Sequence, residues 1–225
     1  MPISHEHKCI FFHIPKCAGS SIEKRLGVGE DDTKEIPDID ILWGRQKHDL
    51  YETVGPILEQ DDETVFLYAE LQHLTPEQML KGRYVSRDVF DRYYKFTFIR
   101  NPWDKLVSEY FWKMINRFDT FREFLDWVAT LDMDSELNQH PHFIPQHRFV
   151  YNRKDRAMVD FVGRYEELFK GWESVRKHLG LEKGLPHLLW SKHKRYTKYY
   201  DQSSIDLVAE IYRKDIELFG YKFGD

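Results

Sequence analysis

Lys16 stands directly before five small residues, Cys17-Ala18-Gly19-Ser20-Ser21, and just after an apolar stretch, Ile10 to Ile14. Side chains this small let backbone N–H groups close on an anion, and a helix starting there adds the positive end of its dipole. Lys16 would reach the same anion from the strand side. A loop for nucleoside triphosphates carries its Lys after the glycines, directly before Ser or Thr. Here the Lys comes first, an order that suits an anion other than a triphosphate with magnesium. The plain alternative is a strand-to-helix turn with a solvated Lys. Cys17, beside a cation at a helix N-terminus, is expected to have a lowered thiol pKa and to react faster than Cys9.

The second constellation is Lys95 to Lys113, KFTFIRNPWDKLVSEYFWK. Arg100 ends an apolar run, and Ser108 falls two turns into the helix that should follow. A guanidinium in that place suits phosphate, because its planar fork bonds two oxygens at once. The competing role is an ion pair with Asp104, one helical turn on. An acceptor group would also need a base, and an ordinary imidazole titrates near pH 6.5. Of the eleven histidines, His73 in AELQHLTPEQ and His48 in QKHDLY lie in a suitable part of the chain. His73 is preferred because it falls between a strand and a capped helix; Glu70 is a weaker candidate. His140, His142 and His147 bring no acidic or Cys partner with metal-ligand spacing, so no metal site is expected. The basic, aromatic segment 190–200 is either a solvated loop or a lid over an anionic ligand.

Elements that would aim these groups follow from the apolar pattern. Strands are expected at 8–14, 64–69, 95–100 and 159–162. Helices should start at Thr75-Pro76-Glu77-Gln78, at Asn101-Pro102 and at Thr120, each with a capping residue in place. Ile205, Val208, Ile211 and Tyr212 mark a terminal helix. Strands alternating with helices give an α/β domain with a mostly parallel sheet, and ligands of such sheets bind at the carboxyl ends of the strands. Residues 29–62, acidic and interrupted by prolines and glycines, form an excursion over the sheet edge. With no repeat and no strong linker, 225 residues make one domain, 1–225.

Composition narrows the function classes. A net charge of −5 speaks against nucleic acid as partner. No apolar run approaches the roughly 20 residues of a membrane span. The polar start of the chain argues against a signal peptide. Two cysteines, Cys9 and Cys17, on strand and loop argue against a structural disulfide and for a reducing, cytoplasmic setting.

In order and spacing, His13-Ile14-Pro15-Lys16, the small-residue turn, Phe98-Ile99-Arg100-Asn101-Pro102 and Ser108 resemble the sulfotransferases that use 3′-phosphoadenosine 5′-phosphosulfate (PAPS), in particular their carbohydrate branch. The resemblance runs on through VDFVGRYEEL (159–168) to DIELFGYKF (215–223). It implies a three-layer α/β fold of the nucleotide-kinase type, and a metal-free transfer of a sulfuryl group to a hydroxyl, on a saccharide. It further implies that Lys16 and Cys17, Ala18, Gly19, Ser20 and Ser21 hold the 5′-phosphosulfate. Arg100 and Ser108 would hold the 3′-phosphate, and His73 would be the base. PAPS is then the donor and 3′-phosphoadenosine 5′-phosphate (PAP) the product, with Gln146 near the cleft. Cys17 stands where the family usually has Thr or Ser. Lys105 stands where it usually has Arg, which suggests a surface pair or a distant phosphate contact. The rivals are a small-molecule kinase with a phosphate loop, and an inactive nucleotide- or glycan-binding module.

Overall fold

In the computed structural model, residues 2–27, 39–41, 71–133, 140–186 and 193–225 are described. The expected strand 64–69, His48, Glu70 and residues 190–192 of the basic segment lie outside them. Cys9–Phe12 (β2), Tyr94–Ile99 (β4) and Phe161–Arg164 (β5) run parallel, with Phe11 opposite Phe96 and Phe98 opposite Gly163. All four residues of β2 are buried, as inner strands covered on both faces require. Pro2–Ser4 (β1) and Ile39–Ile41 (β3) add an antiparallel edge, giving the order β3-β1-β2-β4-β5. Neither short strand was expected. β3 falls inside the supposed excursion and pairs at the sheet edge rather than only passing over it.

Helices follow where local chemistry starts them. Gly19–Arg25 (α1) leaves β2 directly. Pro76–Lys81 (α2) has Thr75 as N-cap in a complete capping box with Gln78. Arg87–Arg92 (α3) is capped by Ser86 and leads into β4. Asn101 caps Pro102–Glu109 (α4), with Pro102 in the first turn, where its missing N–H costs nothing. Thr120 caps Phe121–Ala129 (α5). Leu168–Leu179 (α6) covers β5. The expected terminal helix is two, Gln202–Ile211 (α7) and Arg213–Phe219 (α8), jointed at Tyr212. Between α4 and α5 the chain makes a π-helical turn, Tyr110–Met114.

The core is aromatic. Phe11, Phe12, Phe96, Phe98, Phe124, Phe143, Phe149 and Trp172 are essentially inaccessible. Their burial supplies the main driving force of the fold. It also makes a rigid floor under the carboxyl ends of β2 and β4, where Lys16 and Arg100 emerge.

Candidate functional site

Beyond β2 the chain turns sharply. Lys16 and Ala18 both take left-handed conformations, each with φ 66°, which costs an L-residue roughly 1–2 kcal/mol. Ala18 is the N-cap of α1 and offers no side-chain acceptor. The first N–H groups of a helix have no partner in its own i→i−4 ladder; Ser21 N donates to Ala18 O at 3.1 Å, and those of Ala18, Gly19 and Ser20 have no acceptor among the described residues. Gly19 opens α1, and a Cβ there would sit 1.8 Å from His13 Nε2, so only glycine fits. The His13 ring that occupies this space donates from Nδ1 to Glu23 Oε1 at 2.8 Å, in a pair that is almost wholly buried. Burial pushes the Glu23 carboxyl up, but the charge and hydrogen bond of His13, with Gln72 helping, outweigh it and hold it at about 2. Ser20 is exposed and Ser21 buried.

Arg100 ties this loop to the end of β4. Its Nη1 donates to Lys16 O at 2.8 Å, its Nε donates to Asp104 Oδ2 at 2.8 Å, and its guanidinium lies 4.0 Å over the Tyr165 ring. The Asp104 ion pair that the sequence offered as a competing role is therefore present, and Arg100 also serves the loop. Gln146 clamps the same residue, accepting from Arg100 N at 2.8 Å and donating to Arg100 O at 2.7 Å. Lys105, for which a surface pair is one of two expectations beside a distant phosphate contact, is buried and donates from Nζ to His142 O at 2.5 Å. Its position one turn after Arg100, facing inward, puts it beneath the loop. Ser108 is buried in α4, with no hydrogen bond to the loop among the described residues.

Lys16, Arg100 and Lys105 thus converge, with Asp104, Glu109 and Asp215 as the nearby carboxylates. Burial pulls the Lys16 ammonium down to about 8, against the pull of Glu109 the other way. Cys17 contradicts its expected reactivity. It is 1% exposed, and burial pushes its thiol up to about 12 despite Lys105 and Arg100. Its Sγ faces Pro15 O and Gln146 Oε1 instead of solvent.

His73 lies on the short turn Leu71–His73, just before the cap of α2. Its Nδ1 is 2.9 Å from His13 O. A carbonyl only accepts, so Nδ1 carries the hydrogen and the neutral ring has its lone pair on Nε2. Burial lowers its pKa well below 6.5, and His13 and His142 add to the effect. The site is thus threaded on one strand end: His13 carries His73 on its carbonyl and Glu23 on its ring, three residues before Lys16.

Other residues find structural work. His147 donates from Nδ1 to the inaccessible Asp215 at 2.6 Å, and Asp215 also accepts from Gln146 N and His147 N. In segment 193–200, Tyr196 is buried and Tyr200 donates to Trp103 O at 2.8 Å, so this part packs down rather than forming a solvated loop. Glu109, Trp112 and His142 beside His73 were missed in the sequence. Glu109 next to Ser108 was the available signal for the first; the others needed the fold.

The sequence matches the model of the sulfotransferase family over residues 1–222. It is also similar to a protein of Archaeoglobus fulgidus described only as uncharacterized, 34% identical over 117 residues that cover 49% of this chain and 86% of that protein. A family match running from β1 to the residues after α8 takes in the Lys16 loop, the Arg100 strand end and the terminal helices alike, and on that ground the chain belongs to the sulfotransferase family.

Proposed function

We propose that this protein moves a sulfuryl group from PAPS to an acceptor hydroxyl on a saccharide, releasing PAP. The observation that carries the reading is the hydrogen bond from Arg100 Nη1 to Lys16 O. It joins the carboxyl ends of two neighbouring parallel strands, where an open α/β sheet takes its ligand. The residues fit a nucleotide with two anionic groups: Lys16 and Arg100 stand at two neighbouring strand ends, and α1 begins without a side-chain cap.

The donor supplies an activated sulfur with a phosphate as leaving group. His73 Nε2 takes the proton of the acceptor hydroxyl as its oxygen bonds to sulfur. Lys16 would stabilise the charge gathering on the oxygen that departs with the phosphate, and the amides of Ala18 to Ser20 would neutralise the sulfuryl oxygens. The Ser20 and Ser21 hydroxyls and Cys17, whose backbone lies in the loop, complete this end. Arg100 has donors left after Asp104 and Lys16 O, and with Ser108 it serves the 3′-phosphate. Because His73 titrates below 6.5, the acid limb of turnover should lie below the pH of an ordinary histidine.

A thermal-shift titration with PAP in the presence of a chelator tests this. PAP at 100 times its dissociation constant should add about 2.7 kcal/mol of stability. A shift that appears only with magnesium and ATP would replace the sulfotransfer reading with a kinase. PAP binding without transfer to any saccharide tried would leave an inactive nucleotide-binding module.

A further inference from the structure

Four side chains that the transfer itself does not use, Lys105, Glu109, Trp112 and His142, meet between Lys16 and His73. Glu109, 1% exposed at the end of α4, has its Oε1 2.9 Å from His142 Nδ1. The two groups meet as an ion pair, and neither carboxylate oxygen makes a hydrogen bond among the described residues. Lys105, one turn earlier on the same helix, holds the main chain of the same histidine through its 2.5 Å bond to His142 O. Ring and backbone of His142 are thereby gripped from one face of α4.

The ring so held meets His73 directly and reaches Lys16 through Trp112. On one side it stacks on Trp112, with centroids 5.1 Å apart and planes 12° from parallel. Lys16 Nζ lies 4.4 Å from the centre of that same indole. On the other side it meets His73 edge-on, centroids 5.1 Å apart at 79°. His13 meets the His73 ring at 4.7 Å and 76°, so His73 is clamped between two imidazoles. Trp112 is delivered by the π-helical turn, a local widening often found where a helix serves a site.

We infer that His142, fixed by Glu109 and Lys105, is a positioning residue that sets Lys16, through Trp112, and His73 relative to one another. The inference rests on the roles proposed above for Lys16 and His73. A buried carboxylate–imidazole pair contributes little to stability beyond what apolar side chains of the same shape would give. What it does supply is a fixed ring. Lys16 has a long flexible side chain, and the indole face gives its ammonium one place to rest. Transfer in line needs base, sulfur and leaving oxygen aligned, and a misplacement of about 1 Å costs about a hundredfold.

The test compares wild type, His142→Ala, Glu109→Gln and the double variant Glu109→Gln/His142→Phe, each checked for its fold by circular dichroism. His142→Ala should lower kcat by at least about tenfold and leave KM for PAPS and PAP affinity nearly unchanged. The double variant restores a ring without stranding a buried charge, and it should recover most of the lost rate. Glu109→Gln covers the case in which the alanine variant does not fold, and should show a smaller loss of kcat. NMR of the His73 ring, assigned by His73→Gln, supplies a reading independent of activity. His73 signals should move or broaden in His142→Ala and return in the double variant. Unchanged His73 signals, or a double variant as slow as the alanine one, would overturn the positioning role. Failure of the wild type to bind PAP would instead strike the sulfotransfer reading, while the NMR comparison still decides whether His142 holds His73.

Discussion

Burial acts on Lys16 and Cys17 in one direction, toward the neutral form, with different consequences. Lys16, held at about 8, still keeps most of its charge near neutral pH and remains fit to meet an anion. Cys17, pushed up to about 12, is a thiol throughout the physiological range, and Cys9 is buried to a similar pKa. Both thiols should therefore resist brief iodoacetamide treatment of the folded protein and react together once it is unfolded. Mass spectrometry of each cysteine checks this, and rapid labelling of Cys17 alone would show an open loop. Glu23 gives the acid behaviour. Its pKa falls from 4.5 to about 2 on folding, so its contribution is complete above 4.5 and is lost as pH falls through that interval toward 2. The loss is on the order of 3 kcal/mol. Chemical denaturation between pH 6 and 2.5 should show a shallower acid decline for Glu23→Gln than for wild type; parallel curves would assign the decline to other carboxylates.

At the scale of elements, α1 depends on a contact that its own sequence does not announce. Gly19 reads as a flexible turn residue, yet its φ is not left-handed; the requirement is room for the His13 ring, which a Cβ would meet at 1.8 Å. Gly19→Ala should displace the ring, strain the His13–Glu23 pair and destabilise the fold by about 1–3 kcal/mol. Adding His13→Ala should relieve part of that, which thermal melts of the single and double variants will show; additive losses would mean that the ring is not the obstacle. The same contrast separates what was legible from what was not. Thr75, Asn101 and Thr120 announce their helices because a cap is chemistry within four residues. β1 and β3 are three residues each and exist through pairing with distant segments, which no local pattern carries. The π-helical turn hides inside apolar spacing that continues smoothly from Leu106 to Phe111. In the site, the cation order of Lys16 and Arg100 was legible, and so was Asp104 one turn away. Which thiols are covered, and which histidines face each other, depends on contacts across about sixty residues, as between His13 and His73.

Across the whole molecule, the chain's last quarter supports a site built by its first half. Asp215 lies in the first turn of α8, is wholly inaccessible, and accepts from Gln146 N at 2.7 Å, His147 N at 2.9 Å and His147 Nδ1 at 2.6 Å. Gln146 in turn clamps both main-chain groups of Arg100, and Arg100 holds the carbonyl of Lys16. The stretch beginning at Asp215 thus reaches the Lys16 loop through three links of hydrogen bonds. Asp215→Asn keeps the size but turns one acceptor into a donor facing an N–H. A hydrogen bond to a charged group is worth about 1.5–3 kcal/mol, and a protein of this size loses roughly 2–4 °C in Tm per kcal/mol. A Tm lower by roughly 3–12 °C is expected. If the links act as one, PAP affinity should fall as well, although Asp215 touches no residue assigned to the nucleotide. Asp206→Asn, an exposed change on α7, should alter neither quantity and serves as the control. Calorimetry of PAP binding beside the melts decides the point: a lower Tm with unchanged PAP affinity would confine Asp215 to holding α8 in place and cut the proposed connection at Gln146.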